Sequence, residues 1–294
     1  MFFSVPATSA NMGPGFDTLG VALSLRNEVD IKRSKFFSVS IKGEGKNNSR
    51  MKSGNIFVSI FNEQYKNITG KKESFRFEFS NNIPISRGLG SSSAFFFFKQ
   101  KTAYEMAGVE ISKEKVLNIA LTYESHPDNI TPAIFGGFNV AAVEDSRVFS
   151  VKKEMPSFLK AVIVIPNVHM STNQSRGSLP KKYTKEEAIF NLSRSSLLAA
   201  LLFGGNYDML RVASKDKFHQ DIRMKTLPEL FEVQRLALEN GALMSTLSGS
   251  GSSFFNMTYA DDAQRIKKVL EGAFSFFRVE IMDFDNDGLV CNKN

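Results

Sequence analysis

Glu124, His126, Asp128 and Asn129 fall within one short stretch, Glu-Ser-His-Pro-Asp-Asn-Ile-Thr-Pro-Ala. Two carboxylates, an imidazole and an amide at this density suit the binding of an amino, hydroxyl or carboxylate group. Glu124 is also a hard oxygen ligand of the kind magnesium takes. Pro127 and Pro132 stiffen the backbone that holds them. Read alone, the stretch fits a helix C-terminus followed by a polar turn at least as well.

A second candidate is built from backbone. Pro84, Ile85, Ser86, Arg87, Gly88, Leu89, Gly90, Ser91, Ser92, Ser93 and Ala94 follow one another. Gly88 and Gly90 lack a Cβ, so the chain can turn tightly there and approach a ligand. Serine is a good N-cap, and apolar residues come next, so a loop opening a helix is expected. The first N–H groups of a helix have no internal partner and stand at its positive pole, which suits phosphate. The serine hydroxyls suit a phosphate or a magnesium ion held by it. No Gly-Lys-Ser/Thr follows, which excludes a Walker A loop, and the third glycine of the Rossmann fingerprint is missing. A Ser/Gly turn that only caps a helix accounts for the stretch equally.

Four further stretches carry polar groups at telling positions. Asn11 and Asp17 flank Gly13, Pro14 and Gly15, and either converge on one small ligand or bond their own backbone in Asx-turns. Thr172 and Arg176 share a face of a predicted helix over 171–176, so both can meet one carboxylate; a capped helix with a solvated arginine is the plainer account. Arg223 sits just before a helix break at Pro228, and residues 246–253 form a second Gly/Ser loop.

The elements that must hold these groups are legible from periodicity. Short strands are expected at 2–5, 28–33 and 36–42, and a helix at 55–65. Phe75, Phe77 and Phe79 alternate with polar residues, predicting a strand over 74–80 with one dry face. Ser112 caps a helix running to 123, a strand follows at 138–143, and a charged stretch at 144–157 suggests a domain boundary. Beyond it come a buried strand at 159–165, a buried helix at 188–202 in which Arg194 is out of place, helices at 221–238 and 263–270, and a last strand at 277–284. The tail after Asp285 is expected to fray. This succession predicts an α+β fold, with a small α+β sandwich in the second half.

Composition narrows the classes. The chain has 294 residues, of which 42% are hydrophobic, enough for a core. No apolar run is long enough to span a bilayer, and the first residues lack a signal-type pattern. One cysteine, Cys291, suits a reducing compartment, and His126, His169 and His219 are too scattered for a zinc site to be expected. The net charge of +7 is dispersed, without a basic block for nucleic acid, and fits a cleft that attracts an anionic nucleotide.

Taken together, 84–94, the opening Pro-Ala-Thr-Ser-Ala-Asn-Met-Gly-Pro-Gly-Phe-Asp, the Glu124 stretch and the 246–253 loop resemble the GHMP small-molecule kinases, in particular the branch that acts on L-homoserine. The resemblance covers nearly the whole chain. It implies a two-domain fold: an ATP-binding domain over 1–150 with a left-handed β-α-β crossover, and a ferredoxin-like domain over 151–294. It implies ATP and Mg2+ as cofactors and transfer of the γ-phosphoryl group to the side-chain hydroxyl of L-homoserine, giving O-phospho-L-homoserine for threonine biosynthesis. Residues 84–94 would bind ATP, and Ser92 (or Ser91) with Glu124 would hold magnesium. Asn11, Asp17, His126, Asp128 and Asn129 would surround homoserine, with Thr172, Arg176 and Arg223 completing the pocket and the arginines on the carboxylate. Asp128, Asn129 and Asp17 would lie nearest the chemistry, with Asp128 and Asp17 both open as the base. Asn62 would border the adenine. A cytoplasmic homodimer is implied, with neither nucleic acid nor membrane as partner. The rival within the family is a mevalonate or sugar kinase, against which the two arginines, Asn11 and Asp17 argue.

Residues 95–106 stand apart. Four consecutive phenylalanines point to every side of a helix, and Lys99, Gln100 and Lys101 fall where burial should continue. The peptide resembles the translation of a poly-T run joined to a sequencing-library adapter. It is therefore expected to be foreign to the fold, which leaves open a chain that binds nucleotide or homoserine without turnover.

Overall fold

The computed structural model describes residues 1–124 and 126–292, and their side chains except those of residues 50, 92–99 and 173. In the first half, strands β1 (Phe2–Ala10), β2 (Leu19–Arg33) and β3 (Ser38–Gly43) lead to helices α1 (Ser49–Ser53) and α2 (Ile56–Thr69). Then come β4 (Phe75–Asn81), α3 (Ser91–Met106), α4 (Lys113–Leu121), α5 (Pro127–Phe135), β5 (Phe138–Glu144) and β6 (Arg147–Lys153). The second half runs β7 (Leu159–Ile165), α6 (Thr172–Gly177), α7 (Lys185–Gly204), α8 (Leu210–Ala213), α9 (Gln220–Met224) and α10 (Glu229–Glu239). It closes with β8 (Met244–Leu247), β9 (Phe254–Tyr259), α11 (Ala260–Ala273), β10 (Arg278–Met282) and β11 (Val290–Asn292).

Among the described residues the strands form two sheets. The first runs β11-β1-β2-β4-β3, with β5 on β2 and β6 on β5. Strand β2 is its hub: its first residues pair with β5 and its last with β4, while β1 follows it throughout with a register shift at Pro6/Ala7. A bulge of this kind bends a strand and re-aims its later residues. Strand β1 therefore extends to Ala10, past the short strand expected, and delivers Asn11 directly. Strands β3 and β4 are parallel and are joined through α1 and α2. The second sheet, β10-β7-β9-β8, is antiparallel throughout, the strand order of a ferredoxin-like unit, with the Gly/Ser loop joining β8 to β9.

Three cores hold these layers. Phe57, Phe61 and Tyr65 of α2 meet Phe75 and Phe77 on the predicted dry face of β4, with Phe61 edge-on to Phe75 at 5.0 Å. Burial stabilises each such ring by roughly 1.5–3 kcal/mol. A second cluster joins Ala7, Leu19 and Val21 of the first sheet to Ile163, Leu198 and Phe255 of the second half, so the halves share apolar packing. On the far side of the second sheet Val162 and Val164 pack against α10 and α11. From residue 161 to 165 strand β7 is thus buried on both faces, as its apolar run there predicts.

Several expectations change. Strand β6 runs to Lys153, beyond a division at 150, and β11 returns to pair with β1. As far as Asn292 the tail expected to fray is tied down instead. Asp285 forms an ion pair with Arg26 and accepts from the backbone N–H groups of Asp287 and Gly288. Helix α7 is only partly buried, with Ile189 and Leu192 exposed, and Arg194 lies 3.7 Å over the ring of Phe190. The anomalous segment continues as helix α3: Ala103 and Met106 are in the core, and Lys101 donates to Glu105 at 2.6 Å and to the Ile111 carbonyl at 2.8 Å. Gln100 is buried with its Oε1 unpartnered.

Candidate active site

Between the two halves lies a cleft of about 290 Å³ whose walls come from loops separated widely in sequence. It is lined by Asn11, Asp17, Glu124, His126, Asp128, Asn129, Thr172, Arg176 and Arg223, together with Ser86, Arg87, Gly88, Gly90 and Ser91. The candidate clusters therefore meet. Asn62 is exposed on α2 and does not line the cleft. Ser92, Ser93 and Ala94 begin α3, but their side chains lie outside the described residues, so the magnesium role expected of Ser92 does too.

The phosphate-loop candidate is held in a strained path. Ser86, Gly88 and Gly90 all have positive φ. The N-cap of α3 is Gly90, not a serine as expected. Having no side chain, Gly90 caps none of the N–H groups of the first turn and leaves that pole for a ligand. Glycine is required at 88, where a Cβ would stand 2.2 Å from the Ser248 carbonyl oxygen. That contact joins the loop to the 246–253 loop, where Ser248 Oγ donates to the Gly88 carbonyl at 2.7 Å and Ser253 N–H to the Arg87 carbonyl at 2.9 Å. The buried Arg87 guanidinium donates to Asn167 Oδ1 at 2.9 Å, and burial draws its pKa down. An anion on the loop offsets that cost.

The opposite wall is an ion-pair network. Arg176, from the last turn of α6, grips Asp17 through both carboxylate oxygens at 2.7 and 3.0 Å. The hydrogen bond to Asp17 is the largest cause of the raised pKa of Arg176. Asp17 has φ +57 and its N–H donates to Asn11 Oδ1, while Asn11 Nδ2 donates to the Gly249 carbonyl at 3.1 Å. Phe16 offers its ring to both arginines, with Arg176 at 5.0 Å and Arg223 at 5.4 Å. Desolvation, then repulsion from Arg176, lowers the pKa of Arg223 to about 10, and its Nε is buried without a partner. Arg223 is built to receive an anion.

The Glu124 stretch turns out not to be a simple polar turn. His126 is the N-cap of a new helix, α5, whose first turn contains Asp128 and Asn129. His126 Nδ1 donates to Glu124 Oε1 at 3.0 Å, and this bond raises its pKa. Asn129 Oδ1 accepts from Thr8 Oγ1 at 2.8 Å. Asp128 is buried with Oδ1 unpartnered; desolvation, then the charge of Asp17, raises its pKa to about 7. A carboxyl group poised there can take a proton near neutral pH.

No group of three or more His, Cys, Asp or Glu able to hold a metal occurs among the described residues. Magnesium bound with phosphates asks less, since it keeps phosphate and water oxygens and takes one or two protein donors. Glu124 and Ser91 line the same cleft and supply donors of that sparse kind.

Gly249, Ser250, Phe16 and His219 were not singled out as site residues by sequence. The Gly/Ser run at 246–253 was visible, but its contact with Asn11 depends on the tertiary fold. His219, four residues before Arg223, had a readable spacing signal.

A helix pole for phosphate beside paired charges for a small polar molecule defines a small-molecule kinase site. Residues 55–137 match the family "GHMP kinases N terminal domain" and residues 194–275 match "GHMP kinases C terminal"; the chain belongs to the GHMP kinases, which use ATP. The homoserine kinase of a Nitratiruptor species is 62% identical over 293 residues, spanning 100% of both chains. That of a Sulfurovum species is 58% identical over 290 residues, 99% of each. Among solved structures, homoserine kinase from Cytophaga hutchinsonii matches with a TM-score of 0.86 at 26% identity, covering 99% of this chain and 96% of that one.

Proposed function

We propose that this chain transfers the γ-phosphoryl group of ATP to the side-chain hydroxyl of L-homoserine, giving O-phospho-L-homoserine in threonine biosynthesis. One observation carries the reading: the uncapped start of α3 shares a cleft with Asp17, Arg176 and Arg223. An ammonium and a carboxylate on one substrate match Asp17 and the two arginines, which together carry one positive charge in excess. The full-length relatives named homoserine kinase support the same reading.

Phosphoryl transfer has a loose transition state, so the site must position the reactants and neutralise charge. The N–H groups of the loop and of α3 receive the phosphates, with Arg87 behind them. Asp17, Arg176 and Arg223 orient the amino acid, helped by Asn11, His126 and Thr172. The bond from phosphorus to ADP breaks as the bond to the substrate oxygen forms. Asp128, with Asn129 beside it, takes the hydroxyl proton; Asp17, engaged by Arg176, serves binding. Glu124 and a serine hydroxyl at 91 or 92 would hold magnesium, which when bound neutralises phosphate charge. Among the described residues no helix is long and apolar enough to cross a membrane. The same reading divides the ATP-binding and C-terminal halves after β6 and makes the protein a cytoplasmic homodimer that engages neither nucleic acid nor membrane.

The test is 31P NMR of the purified chain with ATP, magnesium and L-homoserine, beside a thermal melt. A phosphomonoester of homoserine is expected, with mevalonate and hexoses unreacted. A chain that melts cooperatively yet phosphorylates another alcohol, or nothing, sinks the reading.

A further inference from the structure

His219 lies wholly inside the protein, and its two ring nitrogens face different groups. Nε2 stands 2.8 Å from the Gly13 carbonyl oxygen, which only accepts, so Nε2 carries the proton. Nδ1 stands 3.2 Å from Arg223 Nη1, which only donates, so Nδ1 is the lone-pair nitrogen. The ring is the neutral Nε2–H tautomer, set by its neighbours on both sides. Burial also lowers its pKa, in the same direction. Phe16 packs on the ring at 5.1 Å, and the His219 N–H is held by Asp216 Oδ2 at 2.8 Å.

We propose that His219 is a positioning residue for the amino-acid end of the cleft, orienting the Arg223 guanidinium through Nδ1 and the 11–17 loop through Nε2. Resting on the function proposed above, it reaches the substrate only through these two neighbours. Arg223 Nη1 is shared between His219 Nδ1 and the Gly249 carbonyl, which directs the rest of the fork. Gly13 has φ +83 and no room for a Cβ, which would stand 2.1 Å from the Ser214 carbonyl. The loop between Asn11 and Asp17 is therefore docked against the second half at Gly13, and His219 supplies a side-chain hydrogen bond at that point. One imidazole thus ties the expected carboxylate clamp to the loop that presents the ammonium partner.

Two substitutions separate the arms. Asparagine places an acceptor near the position of Nδ1, and glutamine places a donor near the position of Nε2. In His219→Gln the bond to Gly13 is kept and the acceptor for Arg223 is lost. KM for L-homoserine should rise tenfold or more, with KM for ATP within twofold and kcat within threefold of the parent. In His219→Asn the acceptor for Arg223 is kept, and KM for L-homoserine should rise less than in the glutamine variant. Equal losses in both variants, or a KM for ATP that rises in step, would overturn the proposal and leave His219 a packing residue. Imidazole 15N shifts of the unaltered protein give a readout that needs neither turnover nor a folded variant. A pyridine-like Nδ1 and pyrrole-like Nε2 are expected; the opposite tautomer overturns the proposal. A chain that shows the expected shifts but does not phosphorylate homoserine would refute the functional reading while upholding the orientation of Arg223.

Discussion

Asp128 combines two demands that oppose each other. Its carboxyl group is buried near Asp17, and its pKa rises from 3.8 to about 7. The folded chain therefore holds a proton there that the unfolded chain has released between those values. Stability contributed by the neutral form is present at low pH and is lost as pH rises through about 7. The shift corresponds to about 4 kcal/mol at roughly 1.4 kcal/mol per unit. Asp128→Asn should accordingly raise the urea midpoint at pH 8 and change it little near pH 4, while kcat falls by roughly 10²-fold or more. A variant whose midpoint differs from the parent's by the same amount at both pH values would show that Asp128 suffers no such penalty, and one that keeps full turnover would show that Asp128 does not take the proton. Asp17, Asp128 and Arg176 were legible as candidates from polar spacing and motif, and all three line the cleft. Their pairings were not, because Asp17 and Arg176 are 159 positions apart.

At the scale of the element, α3 and the loop before it govern nucleotide binding and stability. Gly88→Ala would push a Cβ against the Ser248 carbonyl at a positive φ. The expected cost is about 1–3 kcal/mol of overpacking with further backbone strain, and a raised KM for ATP as the loop shifts. Unchanged ATP kinetics in a destabilised Gly88→Ala protein would separate the loop from the phosphate site. Further along the helix, Gln100 is buried with an unpartnered oxygen, a group that costs about 1–3 kcal/mol. Gln100→Met removes that polar group at similar volume and should raise the melting temperature without altering KM for either substrate. A lower melting temperature would mean that the amide has a role its surroundings conceal. This gain is what the out-of-place sequence at 95–106 leads one to expect. The helix itself was legible from the Gly-to-Ser transition, but its cap was not, because Gly90 rather than a serine adopts the left-handed conformation.

For the whole molecule, the halves are joined by shared apolar packing, by the loops of the cleft and by the returning tail. Asp285 forms an ion pair with Arg26 of β2 just before β11 completes the first sheet. Asp285→Ala leaves a half-buried guanidinium without its carboxylate and should cost ~1–3 kcal/mol. Protease should then release the last residues before global unfolding. Concerted cleavage and unfolding would instead make the tail part of one cooperative unit. Ligands give a complementary measure. A substrate that binds the folded chain alone at a hundred times its Kd stabilises it by about 2.7 kcal/mol. ATP and homoserine should each raise the melting temperature.

The α+β class, the dry face of β4, the capped helix at Ser112, the break at Pro228 and the glycine-rich loops were all written locally. They depend on side-chain alternation, backbone freedom and hydrogen bonds within a few residues, which neighbours in sequence decide. The groups able to handle phosphate and a small polar molecule were readable for the same reason. Tertiary structure decided what these groups do to one another. It set Arg176 on Asp17, buried Asp128 until its carboxyl group holds a proton near neutrality, and placed His219 between Gly13 and Arg223. It also converted a polar tail into a strand. Desolvation and long-range pairing depend on which surfaces meet, and a linear pattern does not contain that information until the chain has folded.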